Sequence, residues 1–244
     1  MPPPLRPVLI TRPAKRVHAE IEALGARGVP AIAAPLTRIA HADPPPTVPD
    51  GADAIIFTSA EAVAVMASEA GARALPAYCV GAQTRAAAVA AGFVPVPGET
   101  AADVAALTPQ LVAAPQRRFF HPAGRHVAGD LAGALSAIGK TVARRTAYEA
   151  VACPLPGDAI AALEAGALSA AGFWSPRNAA LFAEAATPAW HLDTTIAVAI
   201  SQNAARPLAA LAFARIAIAS RPTGEAMRDL LVHSALNDVS GTGR

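Results

Sequence analysis

Lysine is almost missing from this chain: only Lys15 and Lys140 occur, and arginine supplies every other cation. Charge as a whole is scarce, at 16% of residues, and twenty basic against eighteen acidic side chains leave only +2. So even a balance excludes the footprint of a nucleic-acid or membrane-surface binder. Cysteine is limited to Cys79 and Cys153, without CxxC spacing. That excludes a disulfide framework or a zinc site and fits a reducing compartment, with both thiols read as small apolar packing residues. No apolar run reaches membrane-spanning length. Met-Pro-Pro-Pro lacks a basic region followed by an apolar core, so no signal peptide is expected. Neither a G-x-G-x-x-G nor a P-loop occurs, which weighs against a nucleotide or dinucleotide enzyme. The expected setting is cytoplasmic and monomeric, with no cofactor, no metal, no nucleic acid and no membrane.

What the chain does have is apolar bulk: 53% of 244 residues are hydrophobic, enough for one large domain or two small ones with real cores. It is organised around Ala54–Val65. There Ile55-Ile56-Phe57 reads as a short strand, Thr58-Ser59 ends it, and an alanine-rich helix begins at once. A hydroxyl at such a junction can cap the helix by accepting from a free backbone N–H, and Glu61 adds favourable negative charge to the first turn. The unit recurs in altered form at Gly172–Leu181, where Ser175-Pro176 is a helix-start pair. Two strand–Ser–helix units predict two similar halves, with the active site in the cleft between them.

Strands and helices alternate along the whole chain. Val8–Ile10 leads into a helix carrying Val17, Ile21 and Leu24 on one face. Further strands are expected at 31–36, 76–80, 94–96, 118–120, 141–151, 173–174, 196–200 and 216–219. Thr100 and Asp103 have capping-box spacing before a helix bearing Val104, Leu107 and Leu111. A last helix follows Thr223, and the tail from Asn237 is expected to fray. This alternation is the signature of parallel α/β layers. In such sheets right-handed crossovers gather the strand-to-helix loops at one edge, where ligands sit.

Seven segments in order, covering nearly the whole chain, resemble the uroporphyrinogen-III synthase family. They are V-L-I-T-R-P at Val8–Pro13, I-I-F-T-S at Ile55–Ser59, Y-C-V-G-A-Q-T at Tyr78–Thr84, H-P-A-G-R at His121–Arg125, T-A-Y-E at Thr146–Glu149, F-W-S-P at Phe173–Pro176 and R-P-T-G-E-A at Arg221–Ala226. The resemblance implies two flavodoxin-like, three-layer α/β domains with parallel sheets, joined by a two-stranded ladder. The first domain is then discontinuous, residues 1–37 plus 152–244, with 40–148 inserted as the second. It also implies a cofactor-free lyase that closes the linear tetrapyrrole hydroxymethylbilane while inverting ring D, through azafulvene and spiro intermediates. Such a protein must bind many carboxylates and hold the substrate folded.

On that resemblance Tyr148 is the expected acid-assisting residue. A phenol is a weak acid, so its help to a departing hydroxyl would be a hydrogen bond; the alternative is a strand tyrosine packing at a domain junction. Expected substrate contacts are Thr84, Thr58, Ser59 and Ser175, whose hydroxyls can equally cap helices. Arg12, Arg125 and Arg177 follow strand ends, where a planar guanidinium suits acetate or propionate groups. Arginine enrichment also follows from the composition bias that makes the chain alanine-rich. His121 reads as a loop histidine. The family's second G-x-x-T turn appears here as Ser201-Gln202-Asn203-Ala204, so Ser201 or Asn203 is the expected polar contact there. The rival readings are a non-catalytic two-lobed binder of a small polyanion and another α/β enzyme such as a sugar-phosphate isomerase. The latter calls for a paired carboxylate and histidine in strand-end loops.

Overall fold

A computed structural model describes residues 5–126 and 130–238 of the chain. The Met-Pro-Pro-Pro start and the tail beyond Asp238 lie outside the described residues. In chain order the strands are β1 (Val8–Ile10), β2 (Ala31–Ala33), β3 (Thr37–His41), β4 (Ala54–Phe57), β5 (Pro76–Cys79) and β6 (Val94–Pro95). They continue as β7 (Arg118–Gly124), β8 (Thr141–Ala152), β9 (Ala170–Phe173), β10 (Ile196–Ala199) and β11 (Arg215–Ile218). The helices are α1 (Ala14–Gly25), α2 (Ala60–Met66), α3 (Ala70–Arg73), α4 (Ala82–Ala90) and α5 (Val104–Ala113). After these come α6 (Leu131–Ser136), α7 (Gly157–Glu164), α8 (Pro176–Ala185), α9 (Gln202–Ala205) and α10 (Gly224–Asp238). The chain forms two compact units, Met1–Arg38 with Val151–Arg244, and Ile39–Ala150.

In the first unit five parallel strands lie in the order β11-β10-β9-β1-β2. Counted within the unit this is 2-1-3-4-5, the flavodoxin-like order, with its topological switch between β1 and β9. Val8-Leu9-Ile10 is buried throughout because helices cover both faces of the sheet. Val8 and Ile10 pack with Val17 and Leu24 of α1 and with Met227 and Leu231 of α10. Leu9 points the other way, into Leu163, Ala179, Phe182 and Trp190. The period of two along a strand separates the two cores, and each large buried side chain contributes about 1.5–3 kcal/mol.

The six-stranded sheet runs β3-β8-β7-β4-β5-β6. Leaving β3 aside, the unit's own count is 3-2-1-4-5, the other common doubly wound order, with its switch between β4 and β7. Ile55 and Phe57 meet Val63 and Met66 of α2 and Ala88 of α4 on one face. Ala54 and Ile56 meet Leu107 and Leu111 of α5 and Leu131 and Leu135 of α6 on the other. No described helix is long and apolar enough to cross a membrane.

Three local expectations change. The helix expected after Thr100 is capped by Asp103, whose Oδ1 accepts from the Ala106 N–H at 2.8 Å; Thr100 takes no part in the cap. Read from the sequence as starting at Thr84, the helix after β5 begins two residues earlier, at Ala82. His121 is no loop residue, because β7 runs on through His-Pro-Ala-Gly to Gly124. The reason is its partner: β8 pairs with it residue by residue, His121 opposite Arg144 and Ala123 opposite Thr146. On the other side the pairing with β4 ends at Phe120, so Pro122 stands where a missing N–H is tolerated.

Candidate active site

At the switch point of the first sheet the ends of β1 and β9 are tied together. The Thr11 hydroxyl donates to the Gly172 carbonyl at 2.6 Å, and Asn178 Nδ2 donates to the Thr11 carbonyl at 2.5 Å. Ser175 caps α8, its Oγ accepting from the Asn178 N–H at 3.1 Å, while Pro176 takes the first helical position. A cavity of 420 Å³ opens here, lined by Arg12, Arg16, Trp174, Ser175 and Asn178 and by Gly224 at the start of α10. Thr223 caps that helix by accepting from the Ala226 N–H at 3.2 Å.

Arg12 and Ser175, both expected from the sequence, therefore share one cavity. Arg177 stands exposed on the first turn of α8. Ser201 caps α9, accepting from the Ala204 N–H at 3.4 Å, and Asn203 is exposed on that helix. Ser201 holds φ at −160°, ordinary extended backbone. By contrast Gly81, the glycine of the first G-x-x-T turn, holds φ at +79°. Glycine is thus dispensable in the second turn and required in the first.

In the second unit the loops after β4, β5 and β7 and the end of β8 fall on one edge of the sheet. Of Thr58 and Ser59, only the serine caps the helix. Ser59 caps α2, accepting from the Ala62 N–H at 3.3 Å. The Thr58 hydroxyl instead meets His121 Nε2 at 3.2 Å. His121 is buried, and burial with the nearby Arg144 charge lowers its pKa to about 4. The imidazole is therefore neutral near pH 7 and can exchange a hydrogen bond with the hydroxyl in either sense. Thr84 is buried on the first turn of α4, where no side chain caps the helix. Capping is therefore not its role.

Tyr148 lies on β8 opposite Gly124 of β7, where the register of the two strands shifts. A methyl at Gly124 would stand 3.1 Å from the tyrosine ring, so the ring rests on bare backbone. The Tyr148 carbonyl accepts from the Arg125 N–H at 3.0 Å, and the Arg125 guanidinium pairs with Glu149. Arg144 donates to the carbonyls of Gly124 (2.9 Å) and Arg125 (2.5 Å), fixing the end of β7. A separate hollow of 560 Å³ lies by the capping residues Asp103 and Asp130 among apolar neighbours. The charges that line it are negative, which suits no carboxylate ligand. Among the described residues no three His, Cys, Asp or Glu side chains gather into a metal-binding group.

At the first unit's sheet edge Glu20, Trp174 and Thr223 were not expected, and at the second unit's sheet edge His121 stands on a strand. The cap at Thr223 has a local signal, Thr-Gly-Glu before a helical run. The pairing of Glu20 with Arg12 and Arg228 has none, since it joins the two ends of the chain.

Residues 18–229 match the family model HEM4, described as uroporphyrinogen-III synthase HemD. A crystal structure of uroporphyrinogen-III synthetase from Helicobacter pylori 26695 superposes with a TM-score of 0.59. The match covers 94% of this chain and 99% of the other at 17% identity. A mutant uroporphyrinogen III synthase from Thermus thermophilus gives a TM-score of 0.45 at 18% identity, covering 94% and 98%. A search of curated protein sequences finds no match.

Proposed function

This chain belongs to the uroporphyrinogen-III synthase family, and from that premise we propose that it closes hydroxymethylbilane with inversion of ring D, releasing water. The observation that carries the reading is the family match; the loop chemistry of the two sheet edges supports it. The substrate is a linear tetrapyrrole rich in carboxylates. Its hydroxymethyl carbon loses hydroxide, which leaves as water with one proton, and becomes an electrophilic azafulvene. The substituted α carbon of ring D then attacks that carbon to give a spiro intermediate, which fragments and recloses. The pyrroles themselves supply the electron push. The protein's part is to bind carboxylates, assist the departing hydroxyl and select one fold of the substrate.

In this reading Tyr148 donates a hydrogen bond to the leaving hydroxyl. Thr58, Thr84 and Ser59 offer hydroxyls and first-turn amides to carboxylates in the second unit. In the first unit Ser175 and Ser201 offer hydroxyls, Arg12 and Arg177 their guanidinium groups and Asn203 its side-chain amide, and Arg125 adds a cation beside Tyr148. Capping does not remove the serines from this role. A capping Oγ accepts from an amide and keeps its own O–H to donate.

The test supplies hydroxymethylbilane to the purified chain and separates the uroporphyrinogen isomers. The type III isomer, formed faster than the spontaneous closure, is the expected result. Type I alone at the spontaneous rate would leave the non-catalytic binder as the better account.

A further inference from the structure

Among the described residues Glu20 is the one buried carboxylate at the first unit's sheet edge, and its surroundings are unusual. It sits on α1, 5% exposed, between two arginines. Its Oε2 lies 2.7 Å from Arg12 Nη1, and its Oε1 lies 3.1 Å from Arg228 Nε on α10. Arg12 is also placed over the Trp174 ring, with its guanidinium carbon 5.2 Å from the ring centroid. The Trp174 ring itself lies over Gly172, where a methyl would come within 2.7 Å of it. Arg12 Nε is buried and unpartnered. Nη1 is on Glu20, and Arg12 lines the 420 Å³ cavity. Arg16 lines the same cavity, and no acidic side chain is among its lining residues.

A buried carboxylate shared by two arginines adds little stability by itself, since desolvation offsets most of the attraction. Its consequence is geometric. An arginine held on both sides loses rotamer freedom once, at folding, and not again when a ligand arrives. We propose that Glu20 is a positioning residue: it fixes Arg12 against Trp174 so that the cavity at the β1–β9 switch seats one carboxylate of the substrate. The proposal rests on the tetrapyrrole reading above for the identity of that carboxylate, but not for the existence of the seat.

The experiment compares wild type, Glu20→Gln, Arg12→Gln and the double variant with two readouts. One is KM and kcat for hydroxymethylbilane; the other is quenching of tryptophan fluorescence by propane-1,2,3-tricarboxylate, with Trp174→Phe assigning the signal. Each single variant raises KM and the tricarboxylate dissociation constant about tenfold and leaves kcat within about twofold. Because Glu20 acts through Arg12, the double variant is no worse than Arg12→Gln alone. Effects that add in the double variant, or a fall in kcat that follows loss of folding stability, overturn the proposal. Should Glu20→Gln fail to fold, Arg12→Lys tests the same claim. Lysine keeps the charge and the pairing but has no second edge to present, so KM rises about tenfold, and an unchanged KM overturns it. If wild type converts no hydroxymethylbilane yet shows quenching that the variants lose, the functional reading fails and the seat stands. Normal conversion with unchanged KM in the variants removes the seat alone.

Discussion

The ring of Tyr148 rests against the α carbon of Gly124 on the neighbouring parallel strand, at the point where their register shifts. Any side chain at residue 124 would displace the ring. A methyl there would lie 3.1 Å from Cε2 and Cζ and 3.2 Å from the hydroxyl. Gly124→Ala should therefore move the phenol while costing only about 1–3 kcal/mol of overpacking. Steady-state kinetics beside urea denaturation should show kcat falling more than that stability loss accounts for. Full activity in Gly124→Ala would mean that the ring's placement does not matter.

Tyr148→Phe removes one oxygen and keeps the ring's packing. Turnover should fall about 100–1000-fold, the scale of losing one hydrogen-bond donor at the reacting group. The unfolding midpoint should hardly move. Unchanged turnover would take Tyr148 out of the chemistry.

His121 makes a prediction about acid. Its native pKa is lowered from 6.5 to about 4 by burial and by the Arg144 charge. Between those values the unfolded chain takes up a proton that the folded chain refuses, so stability rises with pH across that window. The contribution is complete above pH 6.5 and falls away toward pH 4, by roughly 3 kcal/mol in all. His121→Asn, whose amide can still meet the Thr58 hydroxyl, should flatten the slope of unfolding free energy over that range. An identical slope in the variant would place the titrating group elsewhere.

Lys140 holds the end of α5 by donating from one ammonium to three carbonyls, Leu111 at 2.7 Å, Val112 at 2.9 Å and Ala114 at 2.5 Å. It is also buried, beside the Phe119 ring. Lys140→Met fills the space and strips those carbonyls of their donor, which should cost about 2–3 kcal/mol. Chemical denaturation measures this directly, and a loss under about 0.5 kcal/mol would show that water satisfies the helix end as well.

What the sequence reveals is local. Ser59, Ser175 and Ser201 each accept from an amide three residues on, so a strand followed by serine and helix is readable without the fold. The alternation of Val8, Leu9 and Ile10 between two covers likewise follows from the strand period. What stays hidden depends on partners distant in the chain. Thr58 has the local look of a cap, but its partner His121 is 63 residues away. His121 has the local look of a loop residue because its strand is defined by pairing with β8, which no local pattern announces. Thr84 does not cap because α4 starts at Ala82, with Gly81 at the N-cap position, and a G-x-x-T spelling does not say where the helix starts. The Arg12–Glu20–Arg228 group joins the first helix to the last, and charge spacing cannot predict such a meeting.

In the proposed function the substituted α carbon of ring D, rather than its free terminal carbon, joins the hydroxymethyl carbon. Hydroxymethylbilane carrying ¹³C at both the hydroxymethyl carbon and the substituted α carbon tests this in one spectrum. A one-bond carbon–carbon coupling is expected in the product formed with the protein, and none in the product formed spontaneously. A product from the protein reaction that lacked this coupling would contradict it.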